Sequence, residues 1–308
     1  MSQLRKLGGV LTGLLMACSA HAGKLSIVID DFGYRPAQEN QVLQMPPTIS
    51  VAVLPDAPHA RDMATKAHQR GHEVLIHLPM APLSKQPLEK DTLRPDMSSA
   101  EIERIIRKAV ADVPYAVGLN NHMGSAMTSS LPGMQKVMQV LNHYDFYFLD
   151  SMTIGNSQST RAAAGTSVKV IKRRVFLDDT QNEADIRKQF TRAVRLAQRD
   201  GSAIAIGHPH PTTVRVLQQM LPTLPADITL VRPSQLLNEP NHKPLPAGSE
   251  PAKPRNPFRG VQTCPVELKP VPAIRALDVV TESISESAGM HFIETNFSGL
   301  KLTIGAKP

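Results

Sequence analysis

The stretch Lys24-Leu-Ser-Ile-Val-Ile-Asp30-Asp31-Phe32-Gly33 decides the fold. Leu25 to Ile29 is broken only by Ser26, which is how a strand buried on both faces reads. A carboxylate pair ends the run and a glycine marks the turn. Runs of the same kind recur at 49–54, 73–78, 116–120, 146–150, 168–171, 203–207 and 228–231. Helical periods lie between them. Ser98 precedes Glu101 with capping-box spacing, and Ile102, Ile105, Ile106, Ala109 and Val110 follow at helical intervals. A second helix is expected over 183–198, with Ile186, Phe190, Ala193, Val194 and Ala197 on one face. Gly71 and Gly201 stand where helix C-caps take glycine. Strand–helix alternation repeated about seven times specifies an α/β architecture on a parallel sheet, open or closed into a barrel.

The flanks read differently. Arg5 and Lys6, the apolar run from Leu7 to Ala17, and Ala20-His21-Ala22 have the layout of a secretory signal peptide cleaved after Ala22, and so of a periplasmic protein. The run is short of the roughly 20 residues of a bilayer-spanning helix, so no transmembrane helix is expected. Leu15-Met16-Ala17-Cys18 loosely suits lipid attachment at Cys18, the alternative. Cleavage leaves Cys264 without a partner cysteine, so stability rests on the core. The expected divisions are 1–22 signal peptide, 23–238 folded domain and 239–308 tail. The tail is rich in proline, with a linker over 240–272 and a mostly disordered remainder suited to docking an envelope partner.

Composition narrows the function. Lys plus Arg is 34 against 27 for Asp plus Glu, yet the bases are scattered, with no run longer than Lys172-Arg173-Arg174. Aromatic residues are 4% and tryptophan is absent, which leaves few stacking platforms for single strands. A nucleic-acid partner is not expected. No glycine-rich dinucleotide fingerprint follows the first strand and no phosphate-binding loop motif is present, so the two common nucleotide-binding readings fall away.

Parallel α/β folds build their sites past the C-terminal ends of the strands. Those ends carry Asp30 and Asp31, His77, Asn120, Asn121 and His122, Asp150, and His208 with His210. Taken singly, each has an ordinary structural reading: a turn pair, a hydrogen-bonding histidine, a loop asparagine. Together, a carboxylate and two imidazoles from three strands are the ligand set of a catalytic zinc-type site with positions open to water. A second carboxylate suits a general base, and a histidine on the opposite side a general acid. No Gly-x-Ser-x-Gly elbow exists, and the one mature cysteine lies in the tail.

Five segments then carry a resemblance: Ile29-Asp30-Asp31-Phe32-Gly33, Gly71–Met80 with His77, Gly118–Ser125 with His122, Phe148–Ser151 with Asp150, and Ile206-Gly-His208-Pro209. In this order they resemble the divergent polysaccharide deacetylases, a branch of the NodB-like superfamily. The resemblance implies a distorted (β/α)7 barrel and metal-dependent N- or O-deacetylation of a carbohydrate. It implies Asp31 and His77 as metal ligands, Asp30 as base and His208 as acid. The superfamily's second histidine would fall at Ala81, and His122 takes its place. The arginine that orients the base has no counterpart in 118–125. A divalent metal, zinc first, is the expected cofactor, with Asn120, Asn121, Asp150 and His210 holding substrate or histidines. The alternative is a non-catalytic envelope protein that uses the barrel pocket and tail for binding. A two-metal phosphoesterase lacks its second carboxylate cluster.

Overall fold

A computed structural model describes residues 22–239; the expected signal segment up to His21 and the tail from Pro240 lie outside the described residues. The opening stretch forms β1 (Gly23–Phe32), which continues through the Asp30–Asp31 pair. In chain order there follow α1 (Pro36–Val42), β2 (Ser50–Val53), α2 (Ala60–Gln69), β3 (Val74–Met80), α3 (Ser99–Asp112) and β4 (Ala116–Met123). Next come α4 (Ser125–Ser129), α5 (Leu131–Leu141), β5 (Tyr147–Asp150), α6 (Ser159–Ala162), β6 (Val170–Lys172) and β7 (Val175–Phe176). The domain ends with α7 (Glu183–Asp200), β8 (Ser202–Gly207), α8 (Pro211–Met220) and β9 (Ile228–Leu230).

Helix boundaries follow local chemistry. The Ser98 side chain accepts from the Glu101 backbone N–H at 3.2 Å and starts α3, which buries Ile102, Ile105, Ile106 and Ala109. On α7 the expected face is buried, and Gly201 ends the helix at φ 80°, a left-handed cap that glycine adopts without strain.

All strand pairings are parallel, in the order β6-β5-β4-β3-β2-β1-β8-β7, with β9 beside the start of β1. The two edges of this sheet belong to one stretch of chain. Residues 170–172 pair with β5, residues 175–176 pair with β8, and only Arg173 and Arg174 stand between. The Arg173 N–H donates to the Asp150 carbonyl and the Arg174 N–H to the Ile204 carbonyl, so the stretch passes from one neighbour to the other in a single step. The sheet therefore curls into the distorted (β/α)7 barrel that the resemblance implies. The expected strand at 168–171 is in fact this divided stave.

Alternation along the strands sorts the core. Outward residues such as Ile27, Ile29, Val51, Ile76, Leu119 and Phe148 pack under the helices. Inward residues Val28, Ala52, Leu75, Leu149, Ile204 and Ile206 form a separate apolar cluster inside the barrel, closed below by Val231 and Leu236. At that lower end Tyr147 Oη donates to Glu73 Oε1 at 2.7 Å, and the Ser234 backbone and hydroxyl donate to the same carboxylate. One step further along the same inward rows stand Asp30, His77, Asn120, His122 and His208. The period of two that buries the apolar layer also stacks the polar groups above it.

Candidate metal centre and the groups around it

Adjacent strand residues point to opposite faces, so Asp30 and Asp31 share a site only if the strand is broken between them. It is. The β1–β2 register shifts between Ile29 and Phe32, and Asp31 has φ 59°, a left-handed conformation that aspartate tolerates better than most residues. Asp30 stays on the inward row and is buried, while Asp31 is swung to the same end of the barrel.

There Asp31 Oδ1 lies 3.2 Å from His77 Nε2 and 3.1 Å from His122 Nδ1. The two nitrogens are 3.0 Å apart. Asp31 Oδ1 is buried and satisfies hydrogen-bond geometry with neither imidazole, so it is an orphaned acceptor facing two nitrogens. Two ligand atoms on a tetrahedral cation with bonds of about 2.0–2.1 Å stand about 3.3 Å apart, close to all three observed edges. This donor set fits a divalent transition-metal ion. Both imidazoles offset the tendency of burial to raise the Asp31 pKa and hold that carboxyl well below the usual range.

Asn120 fixes the histidine. Its Oδ1 accepts from His77 Nδ1 at 2.9 Å, which leaves the Nε2 lone pair facing Asp31 and His122 Nδ1. Its Nδ2 donates to Asp30 Oδ1 at 2.8 Å. One side chain thus sets both the tautomer of a candidate ligand and the orientation of the neighbouring carboxylate. Burial, reinforced by Asp31, pushes the Asp30 pKa up against the opposing pull of His77 and His208. On the outer side His122 Nε2 is 3.6 Å from Glu89 Oε1.

His208 completes the other wall. Its backbone N–H and its Nδ1 both meet Asp178, at 2.7 and 2.9 Å, and the Thr213 hydroxyl donates to the same carboxylate. Burial disfavours the charged imidazole, but the Asp178 hydrogen bond and charge outweigh it, raising the His208 pKa to about 9. The ring is held through Nδ1, leaving Nε2 as the proton-bearing atom free to act. Asp178 is absent from the sequence expectations. It ends Val175-Phe-Leu-Asp178 by the same strand-end rule, but its two-residue strand is too short to register as one.

The remaining expected residues sit as follows. Asn121 donates to the Met123 carbonyl and accepts from the Ser151 N–H. Asp150 accepts from the Met152 N–H and the Ser157 and Ser159 hydroxyls. Both therefore direct their polar atoms into the loops rather than toward the histidines. His210 packs against His208, with ring centroids 5.7 Å apart, and its Nδ1 is 2.9 Å from Arg35 Nη1. Arg173 donates to the Ser151 and Met152 carbonyls. Asp31, Glu89, His122, His208, His210 and the Tyr34–Arg35 pair line a cavity of about 180 Å³.

Comparison with known proteins agrees with this architecture. A family model described as divergent polysaccharide deacetylase matches residues 27–237. The chain is 67% identical over 290 residues to the uncharacterised protein YibQ of Escherichia coli K12, covering 93% of this chain and 91% of that one. An uncharacterised Haemophilus influenzae protein is 42% identical over 235 residues, 76% of this chain and 83% of the other. The crystal structure of the uncharacterised protein ATU2773 from Agrobacterium tumefaciens is similar with a TM-score of 0.65 at 20% identity, covering 70% of this chain and 89% of that one. At that identity the likeness concerns the fold.

Proposed function

The chain belongs to the divergent polysaccharide deacetylase family, and from that premise we propose that it is a metal-dependent hydrolase removing acetyl groups from a carbohydrate. The observation that carries this reading is the close triangle of Asp31 Oδ1, His77 Nε2 and His122 Nδ1. It lies on a cavity wall shared with a histidine whose carboxylate partner keeps it protonated.

Asp31, His77 and His122 would hold a divalent cation, zinc by the donor set, which would supply a water acidic enough to ionise near neutral pH and a positive charge to polarise an acyl oxygen. Asp30 serves as the proton acceptor. Its Oδ1 is held by Asn120, and its Oδ2 lies 3.6 Å from His77 Nδ1. Its raised pKa brings it nearer the working pH than an ordinary aspartate. His208 carries the opposite role. Fixed through Nδ1 by Asp178, it delivers a proton from Nε2 to the departing nitrogen or oxygen of the sugar. The His208–Asp178 pair gives the imidazole both direction and a proton at neutral pH.

Secretion through residues 1–22 into the periplasm, where acylated envelope glycans are available, completes the reading. Among the described residues no helix is long and apolar enough to cross a membrane.

The test is metal content by elemental analysis together with acetate release from N-acetylated oligosaccharides. Asp31→Ala is expected to lose the metal. Asp30→Asn is expected to keep it and lose turnover by a factor of about 10² or more. Full activity in Asp30→Asn refutes the base assignment, and failure of the unaltered protein to retain any divalent metal refutes the hydrolase.

A further inference from the structure

We propose that the loop carrying Tyr34 and Arg35 reads a carboxylate on the substrate, so that the acylated sugar taken by this cavity is an acidic one. This deepens the deacetylase reading and rests on it.

The loop is unusually well held. Glu39 on α1 is fully buried, and its Oε1 accepts from the backbone N–H groups of Gly33, Tyr34 and Arg35 at 2.9, 3.0 and 2.6 Å. Three successive amides converging on one carboxylate fix the backbone directly after the Asp30–Asp31 pair. Loops at the mouths of sites are ordinarily the mobile part. This one is tied to the strand that supplies the cation ligand.

It presents two side chains to the cavity. Tyr34 is 50% exposed and offers a ring face suited to a pyranose. Arg35 Nη1 lies 2.9 Å from His210 Nδ1, and His210 Nε2 lies 3.1 Å from the Gln181 amide. Burial, with the positive charges of His208 and Arg35, holds the His210 pKa below its ordinary value. The imidazole is therefore neutral and accepts from the guanidinium. That bond orients Arg35 and engages one of its five donors. No carboxylate among the described residues lies within ion-pair distance of Arg35 (the other ion pairs of the domain are formed elsewhere).

An oriented guanidinium with free donors and no internal counter-charge matches a planar carboxylate, which it binds through two parallel hydrogen bonds. Asp31 and Glu89 line the same cavity. With Asp31 committed to the cation, Glu89 at the rim opposes a phosphate dianion more than it opposes a singly charged carboxylate. The ligand class is thus an acyl-bearing sugar with a carboxylate on or beside the acylated ring.

The experiment uses the full-length, metal-loaded protein. Calorimetry compares a tetrasaccharide of alternating glucuronate and N-acetylglucosamine with the neutral N-acetylglucosamine tetramer, and acetate is assayed in the same samples afterwards. The acidic probe is expected to bind roughly tenfold tighter at low ionic strength. Arg35→Gln should bring the ratio to about one, and Arg35→Lys should restore part of it. A ratio of one in the unaltered chain, a ratio that survives Arg35→Gln, or no binding of the acidic probe at millimolar concentration overturns the proposal. A preserved ratio without any acetate overturns the hydrolase reading alone and upholds acidic-sugar recognition.

Discussion

Replacing Asn120 by leucine tests whether one uncharged side chain organises the cation site. Leucine keeps the shape and removes two buried hydrogen bonds, one from His77 Nδ1 at 2.9 Å and one to Asp30 Oδ1 at 2.8 Å. Each partner is left buried and short of a hydrogen bond, at about 1–3 kcal/mol apiece. A domain with about 5–15 kcal/mol of stability remains folded after one such change, though visibly weakened. The larger effect falls on the cation. With only Asp30 Oδ2, 3.6 Å away, left near Nδ1, His77 is freer to carry its proton on Nε2, and in that tautomer it has no lone pair to offer beside Asp31. Loss of such an orienting partner lowers metal affinity roughly 10–100-fold. The assay is competition for zinc against a chromophoric chelator, with urea unfolding of the metal-free protein in parallel. A variant that is measurably less stable yet binds zinc within about twofold of the unaltered protein refutes the orienting role of Asn120.

Two further outcomes follow from the geometry. In the metal-free protein, protonated His208 is stabilised by Asp178, so its contribution to folding is fully present below pH 6.5 and is lost as pH rises through about 9. The stability gap between the unaltered protein and Asp178→Asn should therefore shrink by up to about 3 kcal/mol across that window, read by urea unfolding at several pH values; a gap constant with pH contradicts the pairing. Gly118→Ala places a Cβ 2.8–2.9 Å from three ring carbons of Tyr147, whose hydroxyl is held by Glu73. The ring has little room to yield, and a loss of about 1–3 kcal/mol is expected in chemical denaturation, whereas a change under about 0.5 kcal/mol would show that the ring moves aside.

The strands were legible wherever burial on both faces produced an apolar run broken by a single polar residue at most, as in Leu25–Ile29 and Val74–Leu78. The strand-end rule then collected Asp30, Asp31, His77, His122 and His208 at one rim, because a parallel sheet brings all C-terminal ends together. What the rule lacks is direction. It treats Asp150 and Asn121 like His77, although their polar atoms turn into the loops. It also lacks length sensitivity: Asp178 follows a strand of two residues, Val175–Phe176, which carries no period of its own. The kink that lets Asp30 and Asp31 share a site depends on a left-handed φ at Asp31, a conformation aspartate adopts only in context. Glu39 is the hardest case. In sequence it is an acidic residue in the first turn of a helix, usually a solvated position, and its burial comes from three amides folding back over it.

The layered interior has a consequence for traffic. Beneath the polar rim, Val28, Leu75, Leu149 and Ile206 leave no solvent-exposed surface, and Leu236 and the Glu73–Tyr147–Ser234 knot stop the far end. The chamber is a blind well, not a tunnel. For the proposed deacetylase this means that a carbohydrate chain would lie across the opening with one acyl group dipping in, rather than being threaded through. The acetate released in the proposed reaction would have to leave by the same opening through which the acyl group entered.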